Sequence, residues 1–253
     1  MQRMSRIKFM NIEIDNLTMT ETLSAVEDLI RQKTNAYVVT PNVDHIVKIE
    51  SNEMLRAAYS EASLILTDGK PLMWASKIYH TPIKEKISGS DLFPELCKLA
   101  ASRRYTMFFL GAKEGVAAKA AENLRKQYPG LDVVGCYSPP VGFEKNPEEI
   151  DKIEDMLKVA KPDILIIALG CPKQELFIHR FRDSLKVPIS FCLGATLDFA
   201  AGNVKRAPQW MANAGLEWVY RIYQEPRRMF RRYVLEDWKF VKLFFKYRQK
   251  KPA

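Results

Sequence analysis

The chain has 253 residues, with 47% apolar and 27% charged residues and a net charge of +9, a composition typical of a compactly folded protein that excludes disordered and collagen-like chains. Its four cysteines are widely spaced without a C-x-x-C pair, which argues against a disulfide framework and favours reduced thiols in the cytoplasm. The N-terminal residues lack the apolar segment of a secretory signal, and no apolar run approaches the ~20 residues of a membrane-spanning helix.

Short strands and amphipathic helices alternate along the chain. Runs rich in β-branched and aromatic residues predict strands over residues 37–40, 63–67, 106–110, 132–136, 163–169 and 187–192. Amphipathic stretches predict helices over residues 20–32, 43–59, 71–77, 91–103, 115–128, 147–160 and 174–183, with Asp91 as an N-cap. The strands are apolar on both faces, which predicts an α/β fold with a mostly parallel sheet flanked by helices.

Charge divides the chain into two unequal parts. Residues 203–253 contain thirteen Lys/Arg and four Asp/Glu, whereas residues 1–202 are balanced at 26 of each sign. Eleven of the 27 aromatic residues also lie after residue 202. We therefore expect an α/β domain over residues 1–202 and a basic, aromatic, helical C-terminal appendage over residues 203–253. Such an appendage suits an anionic, partly apolar surface, either a phospholipid bilayer or a nucleic acid.

Polar, glycine and proline residues gather where the predicted strands end. In an open parallel sheet, ligands bind beyond the carboxyl ends of the strands. The relevant segments are residues 40–42, 67–69, 110–112, 169–175 and 193–195. Their convergence predicts one site at one edge of the sheet.

Each polar residue at these ends has a structural as well as a functional interpretation. Asp68 is either a turn aspartate or a carboxylate that accepts a proton. Thr40 and Asn42 either bind a polar ligand or cap the helix predicted from residue 43. Gln174 and Glu175 open a helix, where free N–H groups favour phosphate, but acidic residues also occur there simply as helix caps.

Several common enzyme motifs are missing from the sequence. The loop around Gly111 has only part of a dinucleotide-binding G-x-G-x-x-G. His45, His80 and His179 share no ligand spacing, and there is no Asp-x-Asp, no Gly-x-Ser-x-Gly and no P-loop. The missing Asp-x-Asp favours a metal-independent chemistry, and the other two absences argue against an α/β-hydrolase and a nucleoside-triphosphatase.

Taken in order, the strand-end segments resemble the WecG/TagA/CpsF family of bacterial glycosyltransferases. The matching segments are residues 40–42, 68–69, 109–112, 168–175, 194–202, 205–208, 215–218, 221, 225–226 and 228. Each is a weak motif alone, and their order along the chain is what makes the resemblance specific.

The resemblance implies a Rossmann-like fold and an inverting transfer of a hexose from a UDP-sugar to a polyprenyl-diphosphate-linked sugar. It implies a peripheral enzyme on the cytoplasmic face of the cell membrane, bound to an anionic membrane surface, that serves wall teichoic acid, enterobacterial common antigen or exopolysaccharide synthesis. Self-association as a homo-oligomer is common among relatives. Thr67 stands where proline is common and Lys70 where a small residue is common, which leaves the donor sugar open.

The same resemblance implies residue roles. Asp68 would be the general base, and Thr40, Asn42 and Gln174 would line the reaction centre. The UDP-sugar would contact residues of the turns and of a following helix, namely Gly111, Gly170, Pro172, Lys173 and Asp198. The acceptor diphosphate would meet Arg221, Arg228 and Arg231.

The residues themselves are compatible with two other functions. The Gly111 loop is also compatible with a Rossmann-type oxidoreductase or methyltransferase, which would bind NAD or S-adenosylmethionine. The basic aromatic appendage is also compatible with a nucleic-acid-binding module. That second alternative gives no reason for Asp68, Gln174 and Asp198 to gather at one edge, so we expect no nucleic-acid partner.

Overall fold

A six-stranded parallel sheet forms the centre of the protein. The structure, a computed structural model, describes residues 6–208, 210–211, 214–226, 229 and 238–248. The sheet strands are β3 (Ala36–Val39), β4 (Leu64–Ile65), β5 (Thr106–Gly111), β6 (Asp132–Tyr137), β7 (Ile164–Ala168) and β8 (Ile189–Cys192). Their order is β4-β3-β8-β7-β5-β6, and every pairing is parallel, as the apolar runs predicted.

An antiparallel hairpin that the sequence did not reveal precedes the sheet. It consists of β1 (Arg6–Phe9) and β2 (Ile12–Asp15), only four residues each. Asp15 fastens the hairpin to the sheet, because its buried carboxylate accepts hydrogen bonds from Arg6 and from the Ile65 N–H. Strands this short carry too little alternation to be recognised from sequence alone.

Helices cover both faces of the sheet. In chain order they are α1 (Met19–Gln32), α2 (Val43–Ser51), α3 (Glu53–Ser60), α4 (Lys70–Ile78), α5 (Gly89–Arg103), α6 (Val116–Gln127), α7 (Pro147–Ala160), α8 (Lys173–Leu185), α9 (Thr196–Ala201), α10 (Glu217–Gln224) and α11 (Lys239–Tyr247), with a 3₁₀ turn at Phe143–Lys145. The predicted Rossmann-like α/β fold is confirmed.

Two local predictions were wrong, and side-chain caps explain both. The helix predicted over residues 43–59 breaks at Asn52, whose extended backbone ends α2 and whose Oδ1 accepts the Leu55 N–H at 3.0 Å to start α3. Asp91 is not the N-cap of α5. Ser88 holds that position and accepts the Asp91 N–H at 3.2 Å, so Asp91 lies in the first turn.

Alternate side chains of the strands build two cores. Ile164 and Ile166 of β7 pack toward α1, α5, α6 and α9, whereas Leu165 and Ile167 pack toward the hairpin and α2, α3, α4, α7 and α8. All four are fully buried, and each contributes roughly 1.5–3 kcal/mol by leaving water. Covered on both faces, the sheet holds its carboxyl edge in a fixed geometry.

The last described helix, α11, packs one face on the body. Phe244 stacks on Tyr79 with ring centroids 5.2 Å apart, and Glu50 accepts from Lys246 Nζ at 2.6 Å and Tyr247 Oη at 2.9 Å. The opposite face leaves Val241 and Phe245 exposed at 54% and 64%. Among the described helices, none combines the length and the apolar content needed to cross a bilayer.

Candidate active site

A cavity of about 1280 Å³ opens at the carboxyl edge of the sheet, beyond β3, β4, β7 and β8. Thr40, Asn42, Asp68, Gly170 and Gln174 from the strand ends line it together. The opposite wall is formed by residues after α9, namely Gly215, Glu217, Trp218, Arg221, Met229, Trp238 and Phe240. The predicted convergence is therefore present for four of the five strand-end segments, while residues 110–112 do not line the cavity, and C-terminal residues help to enclose it.

Asp68 stands where β4 ends, and backbone contacts with the end of β3 hold it there. The Leu66 N–H donates to Val39 O and the Asp68 N–H to Pro41 O, both at 2.9 Å. The half-buried Asp68 side chain lines the cavity, and within the described residues its carboxylate has no hydrogen bond or ion pair. A carboxylate in this setting is available to accept a proton from a bound ligand.

Thr40 and Asn42 combine structural contacts with a place on the cavity wall. Thr40 is 8% exposed, and its hydroxyl donates to Cys192 O at 3.5 Å, across to β8. Asn42 is the N-cap of α2, since its Oδ1 accepts the Asp44 N–H at 3.1 Å. The capping interpretation is confirmed for Asn42, and the ligand-binding interpretation stays a prediction.

Gln174 ties two strand ends together. Its Oε1 accepts the Gly170 N–H at 3.2 Å after β7 and the Gly194 N–H at 3.0 Å after β8. Its Nε2 donates to Glu175 Oε1 at 2.8 Å. Because every polar atom of this amide meets the protein and the residue is only 3% exposed, its contribution to the cavity is to fix the shape of the wall.

A buried histidine–glutamate pair lies beneath these residues. His45 Nε2 is 3.5 Å from Glu175 Oε1, and His45 Nδ1 is 2.7 Å from Asn42 Oδ1. Burial acts to lower the pKa of His45, but Cys171 and Glu175 act to raise it, and the resulting pKa is about 10. His45 Nδ1 also accepts the Asn42 backbone N–H at 3.3 Å, which completes a capping box at the start of α2.

A cationic group at the start of α5 was missed by the sequence reasoning. Lys86, Gly89 and Ser90 line the cavity, and Lys86 and Arg206 both contact the Asp91 carboxylate. Two cations against one carboxylate beside a helix N-terminus leave a positive field that suits an anionic ligand. Lys86 escaped notice because it lies on a loop between two helices and follows no strand.

The Asp91 carboxylate is stabilised in its charged form. Burial acts to raise the pKa of Asp91, but hydrogen bonds from Lys86, Ser88 and Arg206 outweigh burial and lower it. The group is thus an ionised bridge between the α5 N-terminus and the C-terminal residues.

Four of the residues predicted to bind the donor lie off the cavity lining. Gly111 has φ +109°, and a Cβ there would come within 2.5 Å of Ala168 O, so close strand packing requires glycine. Lys173 Nζ lies 3.7 Å from Glu144, and Pro172 lines a separate depression beside Met54. The Asp198 carbonyl accepts the Asn203 N–H at 3.0 Å at the end of α9. Contacts of all four with a donor stay predictions.

The three predicted acceptor arginines are only partly described. Arg221 lines the cavity, with its guanidinium carbon 5.2 Å from the centroid of the Phe199 ring. Arg228 and Arg231 lie outside the described residues.

One group of side chains approaches metal-ligand spacing. Asp44, His45 and Cys171 offer ligand atoms within 4.8 Å of one another in the described part of the chain. However, Lys48 Nζ already sits 2.8 Å from Asp44 Oδ2, and the two ring nitrogens of His45 already meet Asn42 and Glu175. Burial also raises the pKa of the Cys171 thiol, with His45 acting against it, so the donor set does not suit a cation.

The fold and the cavity together define a Rossmann-like α/β enzyme whose polar site lies at the carboxyl edge of its sheet. The profile of the glycosyl transferase WecG/TagA/CpsF family matches residues 7–253, and the chain belongs to this family. The protein is accordingly a glycosyltransferase.

Three similar proteins are N-acetylglucosaminyldiphosphoundecaprenol N-acetyl-β-D-mannosaminyltransferases. The chain is 34% identical to one from Bacillus spizizenii, over 78% of this chain and 74% of the relative. It is 32% identical to one from Bacillus subtilis, over 86% and 83%. It is 25% identical to one from Staphylococcus aureus, over 89% and 87%.

Proposed function

We propose that this chain transfers an N-acetylmannosamine-type hexose from a UDP-sugar to a polyprenyl-diphosphate-linked sugar. The relatives' activity names support this acceptor and this type of sugar. The observation that carries the proposal is that Asp68 and the Gln174 turn line one cavity at the carboxyl edge of the sheet. The cavity volume of about 1280 Å³ accommodates a nucleotide-sugar with part of an acceptor.

Asp68 acts as the general base in this proposal. The acceptor hydroxyl oxygen bonds to the anomeric carbon while the bond from that carbon to the UDP oxygen breaks. The hydroxyl proton passes to the Asp68 carboxylate, and UDP leaves with the bonding electron pair. One displacement of this kind inverts the anomeric configuration. General-base assistance of this kind is typically worth about 10²–10⁴ in rate.

The leaving diphosphate meets positive charge at the α5 N-terminus. Lys86 and Ser90 line the same cavity as Asp68, and Arg206 holds the Asp91 bridge behind them. Preorganised donors aimed at developing charge are a major source of transition-state stabilisation. This group complements the donor contacts predicted for Gly111, Gly170, Pro172, Lys173 and Asp198, of which Gly170 lines the cavity.

The residues after α9 receive the acceptor. Arg221 on the cavity wall, with Arg228 and Arg231 as predicted partners, supplies cations for the lipid diphosphate. The outer face of α11 combines exposed Val241 and Phe245 with lysines, a pattern suited to an anionic leaflet. The appendage over residues 203–253 would then deliver a membrane-embedded acceptor to the body on the cytoplasmic face.

A donor panel tests the proposal directly. Purified full-length protein is incubated with UDP-N-acetylmannosamine, UDP-N-acetylglucosamine and UDP-glucose, each with a short-chain polyprenyl-diphosphate N-acetylglucosamine, and the lipid product is resolved by mass spectrometry. We expect transfer from UDP-N-acetylmannosamine with inverted configuration. Absence of transfer from every donor, together with thermal stabilisation by NAD or S-adenosylmethionine but not UDP, would favour the oxidoreductase or methyltransferase alternative.

A further inference from the structure

Helix α4 has an exposed apolar face on the body, close to the reaction cavity. Trp74 and Ile78 on this helix are 52% and 50% exposed. They lie four residues apart, so both side chains project from the same side of the helix. Leu72 and Ala75 on the other side are buried in the core. The helix therefore has one apolar face in the core and a second apolar face at the surface of the protein.

Two C-terminal segments lie against this helix. A Cβ at Gly215, which has φ +74°, would come within 2.9 Å of the Trp74 ring, so the loop before α10 lies directly against Trp74. Just after the end of α4, Tyr79 stacks on Phe244 of α11 with ring centroids 5.2 Å apart, and its hydroxyl donates to the Phe244 carbonyl. The outer face of α4 thus adjoins the C-terminal residues at both ends.

The charged side chains of α4 and α11 all have one sign. Neither helix contains an aspartate or a glutamate, and together they contain the lysines Lys70, Lys77, Lys239, Lys242 and Lys246. Exposed rings and aliphatic groups bordered by lysines suit an anionic phospholipid leaflet, because the apolar groups enter the headgroup layer while the ammonium groups meet phosphate. A second copy of this chain would bring the same positive charge to the contact, which disfavours self-association through this face.

We propose that the outer face of α4, through Trp74 and Ile78, is a lipid-contacting surface of the body that rests on an anionic bilayer beside α11. This inference rests on the proposed function. A contact through the appendage alone would tether the body to the membrane without fixing its tilt. A second contact on a helix whose other face lies in the core fixes the orientation of the sheet and of its carboxyl edge.

Helix α4 also connects this surface to the reaction cavity. The helix starts two residues after Asp68, and Lys70 and Pro71 in its first turn line the cavity. Trp74 lies only about 6 Å farther along the helix axis than Lys70, at 1.5 Å per residue. Lipid contact at Trp74 therefore holds the cavity close to the headgroup layer, where a polyprenyl-diphosphate-linked sugar lies. The base can then meet the acceptor without extraction of its lipid from the bilayer.

Tryptophan fluorescence measures this contact directly. Substitution of the other three tryptophans, all exposed, as Trp210→Phe, Trp218→Phe and Trp238→Phe leaves Trp74 as the only emitter in the full-length chain. On vesicles that contain phosphatidylglycerol and acyl-brominated phosphatidylcholine, Trp74 emission should shift to shorter wavelength and fall by at least about half. Unquenched Trp74 emission from vesicle-bound protein overturns the proposal.

A matched control places the emitter elsewhere on the surface. Val159 is 84% exposed on α7, which contacts β6 at the far edge of the sheet from β4. Val159→Trp in a chain whose four natural tryptophans are phenylalanine should show unquenched emission on the same vesicles. Equal quenching at positions 74 and 159 would indicate adsorption without a preferred face, and it overturns the proposal.

The double variant Trp74→Glu/Ile78→Glu gives a second test in which the other tryptophans are retained. Both positions are already half exposed, so the chain should fold, which its Tm checks. Its sedimentation with anionic vesicles should weaken at least about tenfold, because apolar contact is lost and two negative charges are added. Val141→Glu/Val159→Glu should sediment as wild type. Equal sedimentation of the two double variants overturns the proposal.

Analytical ultracentrifugation without lipid separates a bilayer from a second copy of the chain as the occupant of this face. We expect wild type and Trp74→Glu/Ile78→Glu to have the same mass in solution. Self-association that is lost in the double variant assigns the face to a subunit interface and overturns the lipid contact. Failure of the proposed function is distinct, since wild type would then transfer no sugar to a short-chain acceptor in detergent, whatever Trp74 contacts.

Discussion

The body and the residues after α9 enclose the same cavity by different means. On the body side, the walls are strand ends joined by buried hydrogen bonds through Gln174, which is 3% exposed. On the other side, α10 has no buried residue, and Trp218 and Tyr223 on it are 44% and 85% exposed. A preorganised wall suits bond-making, whereas an amphipathic wall suits a partner that is itself partly apolar.

The largest effect expected from the body side follows from Asp68→Asn. The substitution keeps the shape of the side chain but removes the proton acceptor, so turnover should fall by at least about 100-fold with donor affinity unchanged. Steady-state kinetics with UDP binding by calorimetry measures both. Asp132→Asn, at the exposed start of β6 on the opposite edge, is the control and should keep full turnover. Near-normal turnover in Asp68→Asn removes this residue from the role of base.

The hydrogen-bonded wall can be loosened without touching the base. Gln174→Met retains the length of the side chain but leaves the Gly170 and Gly194 N–H groups without their acceptor. The free energy of unfolding should fall by about 1–3 kcal/mol, measured by urea denaturation. Gln127→Met on the exposed end of α6 is the matched control, which should stay within about 0.5 kcal/mol of wild type. Equal stability of the two variants would mean that the hydrogen bonds of Gln174 to Gly170 and Gly194 contribute nothing to the free energy of unfolding.

The amphipathic side is tested on the outer face of α11. Val241→Glu/Phe245→Glu places two carboxylates on surface that is already exposed, so folding should be preserved. Sedimentation with anionic phospholipid vesicles should weaken at least about tenfold, because apolar contact is lost and the added charge is repelled. Val141→Glu/Val159→Glu, at body positions 97% and 84% exposed, should bind as wild type. Equal sedimentation of both double variants contradicts a lipid role for this face.

The smallest effect concerns the junction between the two regions. Burial acts to raise the pKa of Glu50, but hydrogen bonds from Lys246, Tyr247 and Asn11 outweigh it and lower the pKa below its ordinary 4.5. The contribution of Glu50 is thus present above pH 4.5 and is lost as pH falls through the lowered folded-state pKa.

Glu50→Gln removes this contribution at every pH. Docking of α11 should weaken by roughly 0.5–1 kcal/mol at pH 7, detected as faster proteolysis after residue 238. Glu53→Gln, one helix further along, is the control. Acid-induced loosening that persists unchanged in Glu50→Gln would assign the effect to other groups.

Local signals in the sequence predict the sheet and the main residues of the candidate site. Continuous apolar runs such as residues 164–168 permit only a covered, parallel strand, and polar residues that follow such runs must lie at one edge. Asp68 and Asn42 could therefore be assigned to one cavity before any coordinates. The split at Asn52 and the cap at Ser88 were missed because side-chain caps compete with helix propensity within one turn.

Residues that meet only across the fold have no local sequence pattern that predicts their contact. Lys86 follows a helix, Arg206 lies 115 residues beyond Asp91, and His45 is distant in sequence from Glu175. Each of these is an ordinary surface or capping residue when read alone, since its partner is supplied by another element.

The sequence by itself determined the α/β class, the covered sheet, the edge that holds the site and the charge asymmetry, because periodicity and composition act over a few neighbouring residues. Only the tertiary structure decided that Gln174 braces two strand ends, that His45 meets the buried Glu175 and that Gly111 is a packing residue. Those properties depend on burial and on partners several turns away. Desolvation and close contact exist only once the chain has folded.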